Sequence, residues 1–237
     1  MPRFFVDQPL TATEGDIALP PGAARHVQVL RLQPGEALTL FDGSGPEWQA
    51  EVTAMGRSEV RVRLIAAASP QRELARAVRL AVVMPANDRM DFIVEKATEL
   101  GAAALQPLVS ERSVLRLSGE RADKKRAHWQ GVAIAAAEQC GRTVPLQVAP
   151  VQPLSTWLAS LPPDADEWRG LLSPRAAAPL AGFAQPRALF LSGPEGGLSD
   201  AEEDAARARG FGAVTLGPRI LRADTAPLAV LAWLALS

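Results

Sequence analysis

"LSGPEGGLSDAEEDAAR" (Leu191–Arg207) joins the end of an apolar run to a glycine-rich turn and then to the start of a helix. The run before the turn, Ala188 to Leu191, reads as a buried strand. Ser199 followed three residues later by Glu202 has capping-box spacing, which sets the start of the helix. A strand–glycine–helix junction often cradles phosphate on N–H groups at the positive helix end. This one carries Glu195 in the turn and Asp200, Glu202, Glu203 and Asp204 beyond it. Those acids suit the helix dipole and oppose a phosphate. There is no GxxxxGK[ST] lysine and no GxGxxG spacing. Taken alone, the stretch is equally a plain turn whose glycines only permit tight geometry.

A second stretch repeats the plan about twenty residues on. "TLGPRILRADTAPLAVLAWLA" (Thr215–Ala235) gives a strand end, a Gly217-Pro218 turn, then "RILRADTA" entering a terminal helix. Two such turns suit a neutral or weakly charged ligand held by backbone amides and apolar side chains. Adenosine with a sulfonium group fits that description better than a triphosphate.

Upstream the rhythm is also strand, helix, strand. "AVRLAVVM" (Ala77–Met84) is a nearly continuous apolar strand, and "DRMDFIVEKATELG" (Asp88–Gly101) is a helix with Met90, Ile93, Ala97 and Leu100 on one face. A long helix is expected over Glu120–Gln139, a short one near Leu154–Ser160, and others over Ser199–Arg209 and Ala223–Leu236. Alternating strands and helices predict an α/β domain with a parallel sheet. The first 68 residues differ. A strand over Ala37–Phe41, the turn Asp42–Gly45, and Val60, Val62 and Leu64 alternating with Arg61 and Arg63 predict a small barrel or sandwich. A short helix closed by Pro34-Gly35 interrupts it, and Ala66–Glu73 reads as the linker. The expected domains are therefore 1–68 and 73–237.

Composition bounds the function. The chain has 237 residues, 48% hydrophobic and 22% charged, with a net charge of −1. No apolar run approaches the ~20 residues of a membrane helix. The N-terminal stretch has no apolar core of signal-peptide length. One cysteine makes no internal disulfide, and Cys140 with His26 and His128 makes no zinc site. A cytoplasmic, metal-free, non-membrane protein is expected. Residues 1–68 carry 6 basic and 8 acidic side chains, 69–150 carry 12 and 9, and 151–237 carry 7 and 9. Any face for a nucleic acid must therefore be local, and the one dense basic patch is "RADKKRAHW" (Arg121–Trp129).

"GPEGGLSDAE" together with "LGPRILRADTA" resembles the RsmE family of SPOUT-class methyltransferases. The resemblance continues through "DRMDFIVEKATELGAAALQPLVSERSV" (Asp88–Val114), "AAAEQCGRTVP" (Ala135–Pro145) and "RHVQVLRLQPGE" (Arg25–Glu36). It covers most of the chain in order. It implies an N-terminal PUA-like β-barrel, a C-terminal SPOUT domain with a deep trefoil knot, and a homodimer. It also implies S-adenosylmethionine as cofactor and N3 of a uridine in 16S ribosomal RNA of the small subunit as target. By position, the cofactor would lie on Leu191, Gly193, Glu195, Gly196, Gly197, Leu216, Gly217, Ile220, Leu221, Arg222 and Ala226. Arg3, Arg25, His26 and Arg31 match positions expected to face RNA. Where the family pattern has Thr-Glu-Thr, this chain has Ala223-Asp224-Thr225; the lost hydroxyl and the shortened carboxylate call a side-chain role at Ala223 and Asp224 into question and leave a backbone role there.

Methylation at N3 requires an unpaired base, loss of its proton, and stabilisation of charge on the uracil oxygens. Arg222, after the second turn, is the first candidate for that stabilisation, followed by Arg112 and Arg142 at the ends of α/β elements. Glu138 is the candidate proton acceptor. Each has a plain alternative: the arginines pair with acids or shape loops, and Glu138 lies on a helix surface. Competing functions are a SPOUT enzyme with another RNA target, such as a ribose 2′-hydroxyl, and a non-catalytic RNA-binding assembly factor.

Overall fold

The computed structural model describes residues 1–11, 15–57, 59–86, 89–175 and 178–236, which group into two compact units. Unit 1 comprises Met1–Glu73 together with Ala137–Pro145. Its elements are β1 (Arg3–Phe5), β2 (Asp16–Ala18), α1 (Pro21–Val29), β3 (Ala37–Phe41), β4 (Glu47–Met55) and β5 (Val60–Ala68). The five strands form one sheet in the order β1-β3-β4-β5-β2, parallel only between β1 and β3. In β5, Val60 and Val62 are buried while Arg61 and Arg63 face solvent, as the alternation requires. The valines join Phe4, Val27, Leu38, Leu40 and Val52 in a core of their own. The expected linker begins too early. Ala66, Ala67 and Ala68 continue β5 by pairing with Gln49, Trp48 and Glu47, because a ladder partner satisfies backbone groups whatever the side-chain propensity.

Unit 2 comprises Leu74–Ala136 and Leu146–Ser237. Its elements are β6 (Ala77–Val83), α2 (Arg89–Glu99), β7 (Ala104–Val109), α3 (Gly119–Cys140, whose last four residues belong to unit 1), β8 (Gln147–Val148), β9 (Gln152–Pro153) and α4 (Leu154–Ser160). β10 (Glu167–Leu172), β11 (Arg187–Ser192), α5 (Asp200–Arg207), β12 (Gly212–Val214) and α6 (Thr225–Leu236) follow. Asp88, which opens the quoted α2 stretch, lies outside the described residues. The sheet runs β12-β10-β11-β6-β7-β8, with β9 also on β7, and every pairing is parallel.

Strand periodicity sends alternate residues to opposite faces, and each face has its own core. Val78, Leu80, Val82 and Phe190 pack with Ile93, Trp129 and Leu231. Ala81, Val83, Leu189 and Leu191 pack with Trp157, Leu158 and Ala206. Helices thus cover both faces, as a parallel sheet demands. Among the described residues no helix is long and apolar enough to cross a membrane. The central strands β10 and β11 end together at Leu172 and Ser192, and the edge strand β12 ends at Val214 beside Leu172. Loops leaving strand carboxyl ends are where open α/β sheets bind ligands.

Candidate cofactor and RNA site

The loops after β10, β11 and β12 enclose a cavity of about 830 Å³ in unit 2. That volume lies within the range of small-molecule sites. Its first wall is the turn of the opening stretch. The Gly197 N–H donates to the Pro194 carbonyl at 2.9 Å, and Gly197 takes a φ of 67°, which a glycine adopts without strain. Glu195 is pinned here: its carboxylate accepts the Ala86 N–H at 3.0 Å, tying the turn to the loop after β6. Arg112 donates to the carbonyls of Gly196 (3.0 Å) and Leu198 (3.4 Å), closing the turn from the other side.

α5 begins where the spacing placed it. Ser199 Oγ accepts from the Glu202 N–H, and the Glu202 carboxylate accepts from the Ser199 N–H, so both halves of the capping box are made. The same Glu202 carboxylate also accepts the Glu111 N–H at 2.8 Å. Glu203 is buried behind the cavity, where it receives Ser173 Oγ, Arg175 and Arg207. The acids of this stretch are therefore committed to N–H groups and guanidiniums.

The second wall is the Leu216–Ala226 loop. Gly217 has a φ of 113°. Asp224 is buried and ion-paired to Arg89 at the start of α2, and it accepts from Thr225 Oγ1 at 3.2 Å. Burial pushes the Asp224 carboxyl up, but the hydrogen bonds and charge of Arg89 outweigh it and hold it below the usual carboxylate range. The departure Ala223-Asp224 thus keeps a side-chain function, since the shorter acid reaches Arg89. Apolar Leu172, Val214, Leu216 and Ala226 line the interior, while Arg219 and Arg222 stand exposed at the cavity.

Residues 72–235 match the family model for an RNA methyltransferase domain, and residues 19–65 match that for an RNA methyltransferase PUA domain. The ribosomal RNA small subunit methyltransferase E of Synechocystis is 34% identical over 96% of this chain and 75% of its own length. That of Bacillus subtilis is 32% identical over 85% and 82%. This chain belongs to the ribosomal RNA small subunit methyltransferase E family. The crystal structure of the Neisseria gonorrhoeae member bound to S-adenosyl methionine superposes with a TM-score of 0.90, at 38% identity over 98% of this chain and 96% of that one. A putative methyltransferase of Legionella pneumophila in complex with the same cofactor gives 0.90 at 30% identity, over 98% and 96%.

Of the positions the family resemblance implied for the cofactor, Gly193, Glu195, Gly196, Gly197, Leu216, Ile220, Leu221, Arg222 and Ala226 line the cavity. Leu191 instead lies wholly buried in the core facing α4 and α5. Gly217 lines a smaller cavity of about 260 Å³ with Leu180 and Trp233. Arg112 and Arg222 are brought together at the main cavity. Arg142 and Glu138 belong to unit 1. Arg142 is buried, with its guanidinium on Glu73 at 3.1 Å. The Glu138 carboxylate accepts the Phe5 N–H at 2.9 Å, and burial raises its affinity for a proton. Of the RNA candidates, Arg25, His26 and Arg31 are exposed on α1 and just after it. Arg3 is largely enclosed by Glu47 and by the Gly141 and Arg142 carbonyls at 3.0 and 3.3 Å.

Sequence reasoning missed Arg89, Arg175, Glu203 and Ser192 at the cavity. Only Ser192 carried a signal, a hydroxyl at the end of an apolar strand next to the turn.

Proposed function

We propose that this protein transfers the methyl group of S-adenosylmethionine to N3 of a uridine in 16S ribosomal RNA. The observation that carries the reading is the unit 2 cavity, built by the first glycine turn and by the residues on either side of the second, in a chain of this family. Its chemistry fits the cofactor. Leu172, Val214, Leu216 and Ala226 give it an apolar interior, and its acids are taken by N–H groups and guanidiniums. Of its five arginines, Arg89, Arg112 and Arg175 are held by protein partners, an arrangement that suits a nucleoside.

Bound there, S-adenosylmethionine supplies a methyl group on a positively charged sulfur. Gly193, Gly196 and Gly197 let backbone approach a ligand closely, and Leu172, Val214 and Ala226 exclude water from its apolar face. Arg112 holds the first turn in shape through the Gly196 carbonyl. Arg222 is exposed at the cavity and makes no ion pair with any described acid, so its guanidinium is available to the uracil oxygens as N3 loses its proton. Arg25 and Arg31, with the His26 ring as a further hydrogen-bonding group, present a local cationic edge for RNA phosphates, within residues 1–68 acting as a PUA-like barrel domain. Residues 73–237 act as the knotted, cofactor-binding and dimerising domain. Exposed Ile220, Trp233 and Leu236 in its last loop and helix support a homodimer, because a partner surface would take these large apolar side chains out of water. A cytoplasmic setting follows from a ribosomal substrate.

The test is methyl transfer to small ribosomal subunits from a strain lacking the activity, read as 3-methyluridine after nucleoside digestion and mass spectrometry. The wild-type protein produces it. Arg222→Ala lowers kcat by about 10²–10³-fold, the usual effect of removing one charge-stabilising donor. No transfer by the wild-type protein defeats the reading. Full activity of the variant removes Arg222 from the chemistry.

A further inference from the structure

Ser192 ends β11 and lines the unit 2 cavity. It is 3% exposed, and its hydroxyl has no hydrogen-bond partner. Among the described residues only Arg3 Nε and Thr53 Oγ1 share that condition, and neither residue lines the cavity. The neighbouring strand provides the contrast. Ser173, just past the end of β10, is equally buried and donates to Glu203 at 3.1 Å. A buried hydroxyl without a partner costs stability, and alanine would fill the same place without that cost. An orphaned hydroxyl at a ligand cavity is accounted for when the ligand brings the partner.

We propose that Ser192 is a specificity residue for the cofactor, its hydroxyl bonding to a polar edge of the adenine. The inference rests on the cofactor reading above. Leu172, which pairs with Ser192 across the sheet, lines the cavity with Val214, Leu216 and Ala226, and these apolar side chains suit a flat base. Adenine buried among them needs a partner for its amino group or ring nitrogens. A serine hydroxyl both donates and accepts, and rotation about one bond moves it among three staggered positions. The carboxylate of the cofactor has a better partner in the exposed guanidinium of Arg219.

Titration calorimetry of the wild-type protein and Ser192→Ala with S-adenosylmethionine and with S-adenosylhomocysteine tests this, alongside thermal melting without ligand. The two ligands share the adenosine and differ in charge at sulfur. Ser192→Ala is expected to raise Kd about 3- to 10-fold for both, as loss of one hydrogen bond does. The melting temperature of the ligand-free variant is expected to stay equal or rise, since no bond is lost from the protein itself. A Kd unchanged for both ligands, where the wild type binds measurably, overturns the assignment and leaves the cofactor reading intact. So does a loss confined to S-adenosylmethionine. A fall in the ligand-free melting temperature with unchanged Kd gives the hydroxyl a purely structural role. Failure of the wild type to bind either ligand overturns the cofactor reading and this assignment with it.

Discussion

Glu195 shows how one residue changes meaning once its partner is known. In the sequence it is an acid inside a glycine turn, unexplained by helix capping. In the structure it accepts the Ala86 N–H, so its negative charge is secondary to its oxygen. Glu195→Gln, which keeps an oxygen, should leave cofactor Kd within about twofold, whereas Glu195→Ala should weaken binding by roughly 1 kcal/mol through a looser turn. Calorimetry on the two variants separates charge from acceptor. Arg142 has a comparable history. Its guanidinium is buried against Glu73. Arg142→Ala should destabilise unit 1 by about 3 kcal/mol, the low end for breaking a buried pair because Glu73 is partly exposed, as read from the urea midpoint.

At the scale of elements, α5 is the case where sequence and structure coincide most closely. Ser199 and Glu202 are three apart, and that spacing alone dictates the reciprocal cap that forms. Ser199→Ala should cost about 1 kcal/mol in chemical denaturation. What the spacing did not reveal is that Glu202 also holds the loop after β7 through the Glu111 N–H. Local motifs encode contacts three or four residues apart, and a bond spanning 91 positions leaves no mark on periodicity. The same limit explains Ala66–Ala68. Weak strand formers next to a proline read as linker, yet β4 was waiting to pair with them. It explains Arg89 and Asp224 too, an ion pair between the start of α2 and the loop before α6.

For the whole molecule, acid tolerance follows from carboxylates held charged by guanidiniums. Burial pushes Glu47 up, but hydrogen bonds and charge from Arg3 and Arg72 outweigh it and leave its pKa below the ordinary value. Asp224 is held down by Arg89 in the same way. A depressed folded pKa contributes stability that is full above the unfolded value, near about 4, and is lost as pH falls through the folded one. Melting temperature should therefore fall below about pH 4, and Glu47→Gln should flatten that decline. Glu138 has the opposite sign. Its raised pKa favours the fold below the ordinary value and is lost as pH rises through the raised one. Glu138→Gln, which still accepts the Phe5 N–H, should be at least as stable as the parent at neutral pH, as thermal melting would show.

By itself the sequence determined the alternation of strands and helices, the α5 cap and the two glycine turns, because each is written in neighbours a few residues apart. Its motifs, in order along most of the chain, also carried the family. Which strands stand side by side, and the grouping of Ala137–Pro145 with unit 1, were settled by the folded chain. Only it decided which acids of the glycine loop are already neutralised and that the Ser192 hydroxyl is left without a partner. Those outcomes depend on groups far apart in the chain meeting in space, and no local pattern specifies which groups meet.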